Sequence, residues 1–238
     1  EIARLGMVRT FQITQPFAKL TVLENIAVGS HQLHQRRSDA LDHARGVAER
    51  VGMPAAMLDQ PAAELTVAGR KRLELARTLA TDPKLLLLDE VMAGLNPQEI
   101  IEIIAIIRKI RDSGVTILLI EHVMHAVMSL SEHIYVLSYG KIIASGAPPI
   151  RRASCNRARS AVLEVRQLRA GYGRVEVLRG IDLDVRAGEI VAVLGSNGVG
   201  KSTLNNNLSA LYRPFAGSIR FQGEDISQLS SSEVVKRG

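Results

Sequence analysis

The sequence predicts an α/β fold with a helical subregion. Three observations carry that prediction. Short apolar runs alternate with amphipathic stretches at helical spacing. One such run, Ile190 to Leu194, opens directly into a glycine-rich turn followed by a helical pattern. The 238 residues are 46% apolar and 23% charged, enough for a sizeable core in one or two domains, which excludes disordered, collagen-like and disulfide-stapled classes.

Along the chain, Thr21 and Glu24 make a capping box, and Leu73, Leu75, Ala76 and Leu79 repeat at helix spacing. Thr21 to Ala80 therefore reads as the helical subregion. Leu85 to Leu88 is a fully buried strand. A helix follows from Gln98 to about Asp112 with Ile100, Ile101, Ile103, Ile104 and Ile107 on one face, capped by Asn96 ahead of Pro97 and Glu99. Val115 to Ile120 is the next buried strand. Ile134 to Leu137 and Lys141 to Ala144 flank Ser138-Tyr139-Gly140 as a hairpin. Residues 148–161 carry Pro148, Pro149, Ser154 and Ser160 without periodicity and read as a linker. Beyond it the period becomes two, with Val162, Glu164 and Arg166, then Ile181 to Val185, alternating as half-exposed strands.

Charge narrows the classes further. The net charge is +6, and Arg151, Arg152, Arg157 and Arg159 supply four of those charges within ten residues that hold no acid. The excess is local, as in a solvated linker, and with four Tyr and four Phe the chain lacks the basic stripe and aromatic platforms of a nucleic-acid binder. No nucleic-acid partner is expected. The single cysteine, Cys155, excludes an internal disulfide. No apolar stretch reaches the roughly 18 residues of a spanning helix, and no secretory start is visible, so a cytoplasmic location is expected.

The strongest chemical signal is Gly195-Ser196-Asn197-Gly198-Val199-Gly200-Lys201-Ser202, a complete G-x-x-x-x-G-K-S between a strand and a helix. Glycines let successive N–H groups turn inward around phosphates, the helix N-terminus favours negative charge, Lys201 reaches the β and γ phosphates and Ser202 can ligate Mg²⁺. Four leucines at 85–88 then deliver Asp89 and Glu90 to a strand end. Adjacent strand residues point to opposite sides, so the two acids take different tasks: Asp89 holds Mg²⁺ through water and Glu90 polarises an attacking water. His122 stands two residues beyond another buried strand.

Together these residues resemble the ATP-binding subunits of ABC transporters, in particular those of bacterial branched-chain amino acid importers. The resemblance implies an α/β fold of the P-loop NTPase, ABC ATPase type, with a mixed sheet core and a helical subdomain. By matching position, Tyr172 in Ala170-Gly171-Tyr172-Gly173 resembles the adenine-stacking aromatic, and Gln12 after Phe11 the glutamine of the Gln loop. Ala93-Gly94-Leu95-Asn96 resembles the D-loop, Glu90 the water-activating carboxylate and His122 the γ-phosphate sensor. The nucleotide set is then Tyr172, Gly195, Ser196, Asn197, Gly198, Gly200, Lys201, Ser202 and Thr203, with Thr66 and Gly69 from the signature, and the metal set is Ser202, Gln12 and Asp89. The signature itself reads Leu65-Thr66-Val67-Ala68-Gly69, keeping a hydroxyl at Thr66 but placing side chains where the family has two glycines.

The order of parts also departs from the family. Residues 1–147 resemble the C-terminal part of such a domain and residues 162–238 its N-terminal part, joined by 148–161, a circularly permuted order. The chain closes on Glu233-Val234-Val235-Lys236-Arg237-Gly238 and opens on Glu1-Ile2-Ala3-Arg4-Leu5-Gly6, similar position by position, as a fusion of two adjacent paralogous subunits would produce. The resemblance implies ATP and Mg²⁺ as cofactors, a second ATPase subunit in a homo- or heterodimer, and membrane permease subunits on the cytoplasmic face of the inner membrane. The function expected is ATP hydrolysis energising branched-chain amino acid import. The alternative is a defective fusion fragment without ATPase activity.

Overall fold

The computed structural model describes residues 6–10, 16–148 and 160–229. Among the described residues, two sheets and six α-helices form three layers. The first sheet has six strands in the order β1 (Met7–Arg9), β2 (Leu85–Asp89), β3 (Thr116–Glu121), β8 (Ile190–Leu194), β4 (His133–Ser138) and β5 (Lys141–Gly146). All neighbours run parallel except β4 and β5. The second sheet is antiparallel, in the order β10 (Glu224–Asp225), β9 (Ala216–Phe221), β6 (Ala161–Tyr172) and β7 (Val175–Arg186).

The central strands read as unbroken apolar runs because both their faces are covered. In β2, Leu86 and Leu88 face the helical layer while Leu85 and Leu87 face the second sheet. The same alternation holds in β3 and β8: Ile117, Leu119, Ile190 and Ala192 lie on one side, and Leu118, Ile120, Val191 and Val193 on the other. Strand β8 thus sits between β3 and β4, pairing Ile117 with Ile190 on one edge and His133 with Val191 on the other. Residues far apart in sequence close one sheet.

The helical layer consists of α1 (Val22–Ser30), α2 (Arg37–Arg50), α3 (Val67–Leu79), α4 (Pro97–Asp112) and α5 (Met124–Leu130). Both expected capping boxes form. Thr21 accepts from the Glu24 N–H at 3.1 Å, and Asn96 accepts from the Glu99 N–H at 3.0 Å ahead of Pro97 at the first turn of α4. The isoleucine face of α4 differs from the expectation. Ile103, Ile104, Ile106, Ile107 and Ile110 are buried, whereas Ile101 is exposed. At 100° per residue the buried set centres on Ile103, Ile107 and Ile110, and Ile101 falls roughly 160° from Ile103, outside that arc.

The hairpin turns through Tyr139 and Gly140, both with positive φ (44° and 75°), as a two-residue type I′ loop requires. A side chain at Gly140 would meet the Val177 carbonyl at 1.8 Å, so glycine is needed for contact as well as for φ. Ala161, assigned above to the linker, already belongs to β6, where it pairs with Arg186. The rest of that linker, apart from Pro148 and Ser160, lies outside the described residues, as do Phe11 and Gln12. Among the described residues no helix is long and apolar enough to cross a membrane.

Candidate functional site

The site lies where the C-terminal ends of β2, β3 and β8 meet α6 (Lys201–Leu208). Strand β8 ends at Leu194 and the chain turns through Gly198 and Gly200, with φ of 83° and 112°, into α6. Gly200 is the left-handed N-cap, and a Cβ there would come within 2.8 Å of Leu178. The hairpin braces this loop from outside, since the Gly140 N–H donates to the Val199 carbonyl at 3.1 Å.

A cavity of about 400 Å³ opens over the loop, lined by Glu90, Tyr172, Val177, Asn197, Gly198, Gly200, Lys201, Ser202 and Thr203. Lys201 is nearly buried at 5% exposure, and its ammonium donates to the Gly195 carbonyl at 2.8 Å while standing 3.6 Å from Glu90 Oε1. A cation held in a ring of main-chain dipoles is a site for anionic oxygens. Glu90 comes from the opposite side, just past β2, with a left-handed φ of 47°. That conformation is costly for a side-chain-bearing residue and is held here by its neighbours. The Glu90 N–H donates to the Ile120 carbonyl at 2.9 Å, and its own carbonyl accepts from the Ala93 N–H at 3.1 Å and from Lys71 Nζ at 3.5 Å. His122, half-exposed just after β3, places Nδ1 3.9 Å from Glu90 Oε1 and 3.8 Å from Glu121 Oε2.

Asp89 and Glu90 diverge as the strand geometry demands. Asp89 is turned away from the cavity lining and is fully buried, and its Oδ2 accepts from Asn205 Nδ2 at 2.9 Å and from Arg9 Nη2 at 3.1 Å. Through Asn205, one turn along α6 from Ser202, the helix that carries the Ser202 hydroxyl also tethers the Asp89 carboxylate. The two supply hard oxygen atoms, which suits Mg²⁺ bound mainly by phosphates and water with one or two protein ligands. Among the described residues no cluster of three or more acidic, histidine or cysteine side chains forms an all-protein metal cage.

Tyr172 lines the cavity, half-exposed, with its ring edge-on to Tyr212 at 5.4 Å between centroids. Its hydroxyl accepts from Thr203 Oγ1 and Asn206 Nδ2, each at 3.3 Å. Ser196 is exposed on the loop rim. Thr66 and Gly69 stand elsewhere: Thr66 caps α3 by accepting from the Gly69 N–H at 3.2 Å and does not line the cavity. Sequence reasoning missed Arg9, Asn205, Asn206, Glu121 and Lys71, none of which carries a local signal. Glu121 is wholly buried, accepts from the Met92 N–H at 2.9 Å and the His122 N–H at 3.1 Å, and has its pKa pushed up by burial against those bonds.

Comparison with known proteins agrees with this geometry. The sequence profile described as ABC transporter matches residues 1–93 and 178–237, well over half of the chain. The high-affinity branched-chain amino acid transport ATP-binding protein LivG of Salmonella typhimurium is 40% identical over 164 residues, 62% of this chain and 64% of that protein. BraF of Pseudomonas aeruginosa, described in the same words, is 37% identical over the same shares. The chain therefore spans about 64% of the length of these curated relatives. A solved nucleotide-free ATP-binding cassette from an ABC transporter superposes with a TM-score of 0.55 at 29% identity, covering 63% of this chain and 64% of that one. An ATP-binding cassette of an ABC transporter in its ADP conformation gives 0.54 at 30% identity, covering 61% and 62%. The fold is that of an ABC ATPase cassette, and the chain belongs to the ABC transporter family.

Proposed function

We propose that this chain binds MgATP and hydrolyses it to energise import of branched-chain amino acids through a membrane ABC transporter, working as a dimer docked on permease subunits at the cytoplasmic face. In this reading the stretches 1–147 and 162–238 act as one cassette in permuted order. The placement of β8 between β3 and β4 supports it, because the phosphate loop then faces the acidic strand of the same chain. The observation that carries the reading is the approach of Lys201 Nζ to Glu90 Oε1 at 3.6 Å within one cavity.

Each residue has a task. Lys201 and the N–H groups of Ser196 to Lys201 bind and orient the β and γ phosphates. Tyr172 supports the adenine. Glu90 takes the proton of the attacking water, and His122 sits where it can report the γ-phosphate to that carboxylate. Ser202 and Asp89 would hold Mg²⁺, with Gln12, which lies outside the described residues. Mg²⁺ held there would supply positive charge to offset that on the phosphate oxygens. Thr66 and Gly69 face outward and would act on the nucleotide of the second subunit. The substrate class rests on LivG and BraF, whose names state branched-chain amino acid transport.

The test is a titration of the purified chain with a fluorescent ATP analogue and Mg²⁺. Replacing Lys201 with Ala removes the cation that lines the cavity and should weaken binding at least tenfold, the usual range for a charge-assisted contact to phosphate. Equal affinity in the parent and in Lys201→Ala would place the nucleotide elsewhere.

A further inference from the structure

Arg9 ends the edge strand β1, yet its side chain is only 13% exposed and reaches the Asp89 carboxylate and α6 beside the cavity. One guanidinium nitrogen, Nη2, donates to Asp89 Oδ2 at 3.1 Å, and the other, Nη1, donates to Asn206 Oδ1 at 2.6 Å. Asn206 passes the connection on, since its Nδ2 donates to the Tyr172 hydroxyl at 3.3 Å. The backbone of Asp89 is fixed from the same strand, because its N–H donates to Thr10 Oγ1 at 3.2 Å while the Thr10 N–H donates to the Leu87 carbonyl. Asn205 completes the frame. It is fully buried, it donates to the Oδ2 that Arg9 also holds, and its own Oδ1 has no partner among the described residues. Leaving a buried amide acceptor unsatisfied costs stability, so α6 keeps Asn205 there against a penalty.

We propose that Arg9 is a positioning residue that couples the metal side of the nucleotide site to its adenine side. Its fork fixes the Asp89 carboxylate through Oδ2, leaving Oδ1 outside the network for a metal-bound water. Through Asn206 the same fork fixes the hydroxyl, and so the direction of the ring axis, of Tyr172. A planar fork can hold two partners in set directions at once, whereas an ammonium of the same charge cannot. This inference rests on the MgATP reading above and deepens it: the same site, with a residue outside the phosphate loop setting both of its ends.

The experiment is a titration with a fluorescent ATP analogue, run in Mg²⁺ and again in EDTA, on the parent, Arg9→Lys, Asn206→Leu and Lys201→Ala. Arg9→Lys keeps a cation beside Asp89 and so avoids stranding a buried carboxylate. Its gain in affinity on adding Mg²⁺ should fall about tenfold relative to the parent, the low end of what loss of an outer-shell partner costs a metal site. Asn206→Leu keeps the Arg9–Asp89 pair, so it should weaken binding two- to fivefold by the same factor in Mg²⁺ and in EDTA. A merely structural role for Arg9 would lower both affinities of Arg9→Lys alike. That result, an Arg9→Lys variant indistinguishable from the parent, or an Asn206→Leu variant with unchanged affinity, would overturn the coupling. Failure of the parent to bind, or a Lys201→Ala variant that binds as tightly as the parent, would instead overturn the nucleotide reading beneath it.

Discussion

Leu118→Ala tests whether the strands before residue 148 and those after residue 160 unfold as one unit. Leu118 is fully buried in β3, in the layer shared with Val191, Val193 and Leu204 from the later stretch. Truncation removes three carbon atoms, roughly 2.4 kcal/mol of transfer free energy at about 0.8 per buried carbon. The cavity left behind brings the cost to about 3 kcal/mol, inside the range measured for buried leucines. At about 1.4 kcal/mol per tenfold, hydrogen exchange in the global-unfolding limit should speed up roughly 100-fold. For a chain of this size the melting temperature should fall by about 6 to 12 °C. Hydrogen exchange read by mass spectrometry should show that acceleration equally in Thr116–Glu121 and in Ile190–Leu194, since the two strands pair in register. If the β3 peptides accelerate while those of β8 keep parental protection, the shared core is not cooperative and the one-cassette reading fails.

Two further predictions concern the site. Glu90→Gln keeps the shape but loses the basic oxygen, so the rate of ATP hydrolysis should drop by about 10² or more while nucleotide affinity is retained; equal turnover would remove Glu90 from the chemistry. Burial raises the Glu121 pKa above its usual 4.5 in the folded state, so the folded form binds the extra proton between 4.5 and that raised value. Stability contributed by this group is therefore present at low pH and lost as pH rises through that window, and Glu121→Gln should flatten this part of the profile in denaturant melts from pH 4 to 8. An unchanged slope difference between parent and variant would show that the carboxyl ionises without cost.

The parts legible in the sequence are those with a local signature. Leu85 to Leu88 and Ile190 to Leu194 announce buried strands because four or five apolar residues in a row leave no polar face. Asn96-Pro97 with Glu99 announces a helix start because the cap closes within four residues. The phosphate loop is legible because its glycines, lysine and serine are contiguous. Arg9 is not, because its meaning depends on Asp89, 80 positions on, and Asn206, 197 positions on. Asn205 and Asn206 read as ordinary polar residues of a short helix until the fold brings β1 and β2 against them. Ile101 is exposed for a related reason: isoleucines stand on both sides of Glu102, so the pattern alone leaves open which apolar arc turns inward, and packing on the neighbouring helices decides it.

The insertion of β8 between β3 and β4 has a consequence for the nascent chain. During synthesis, β3 and β4 are complete once residue 138 has emerged, but the strand that fills the gap between them follows more than fifty residues later. Until then two strand edges with unpaired N–H and C=O groups face each other across an open slot, beside an exposed layer of Leu118, Ile120, Leu85 and Leu87. Open edges next to apolar surface recruit other chains. The slot closes only when Ile190–Leu194 has emerged, so the rate at which the ribosome delivers that strand should affect the yield of soluble chain. Slowing translation across residues 140–190 should raise the insoluble fraction, and holdase chaperones should engage it most during that interval.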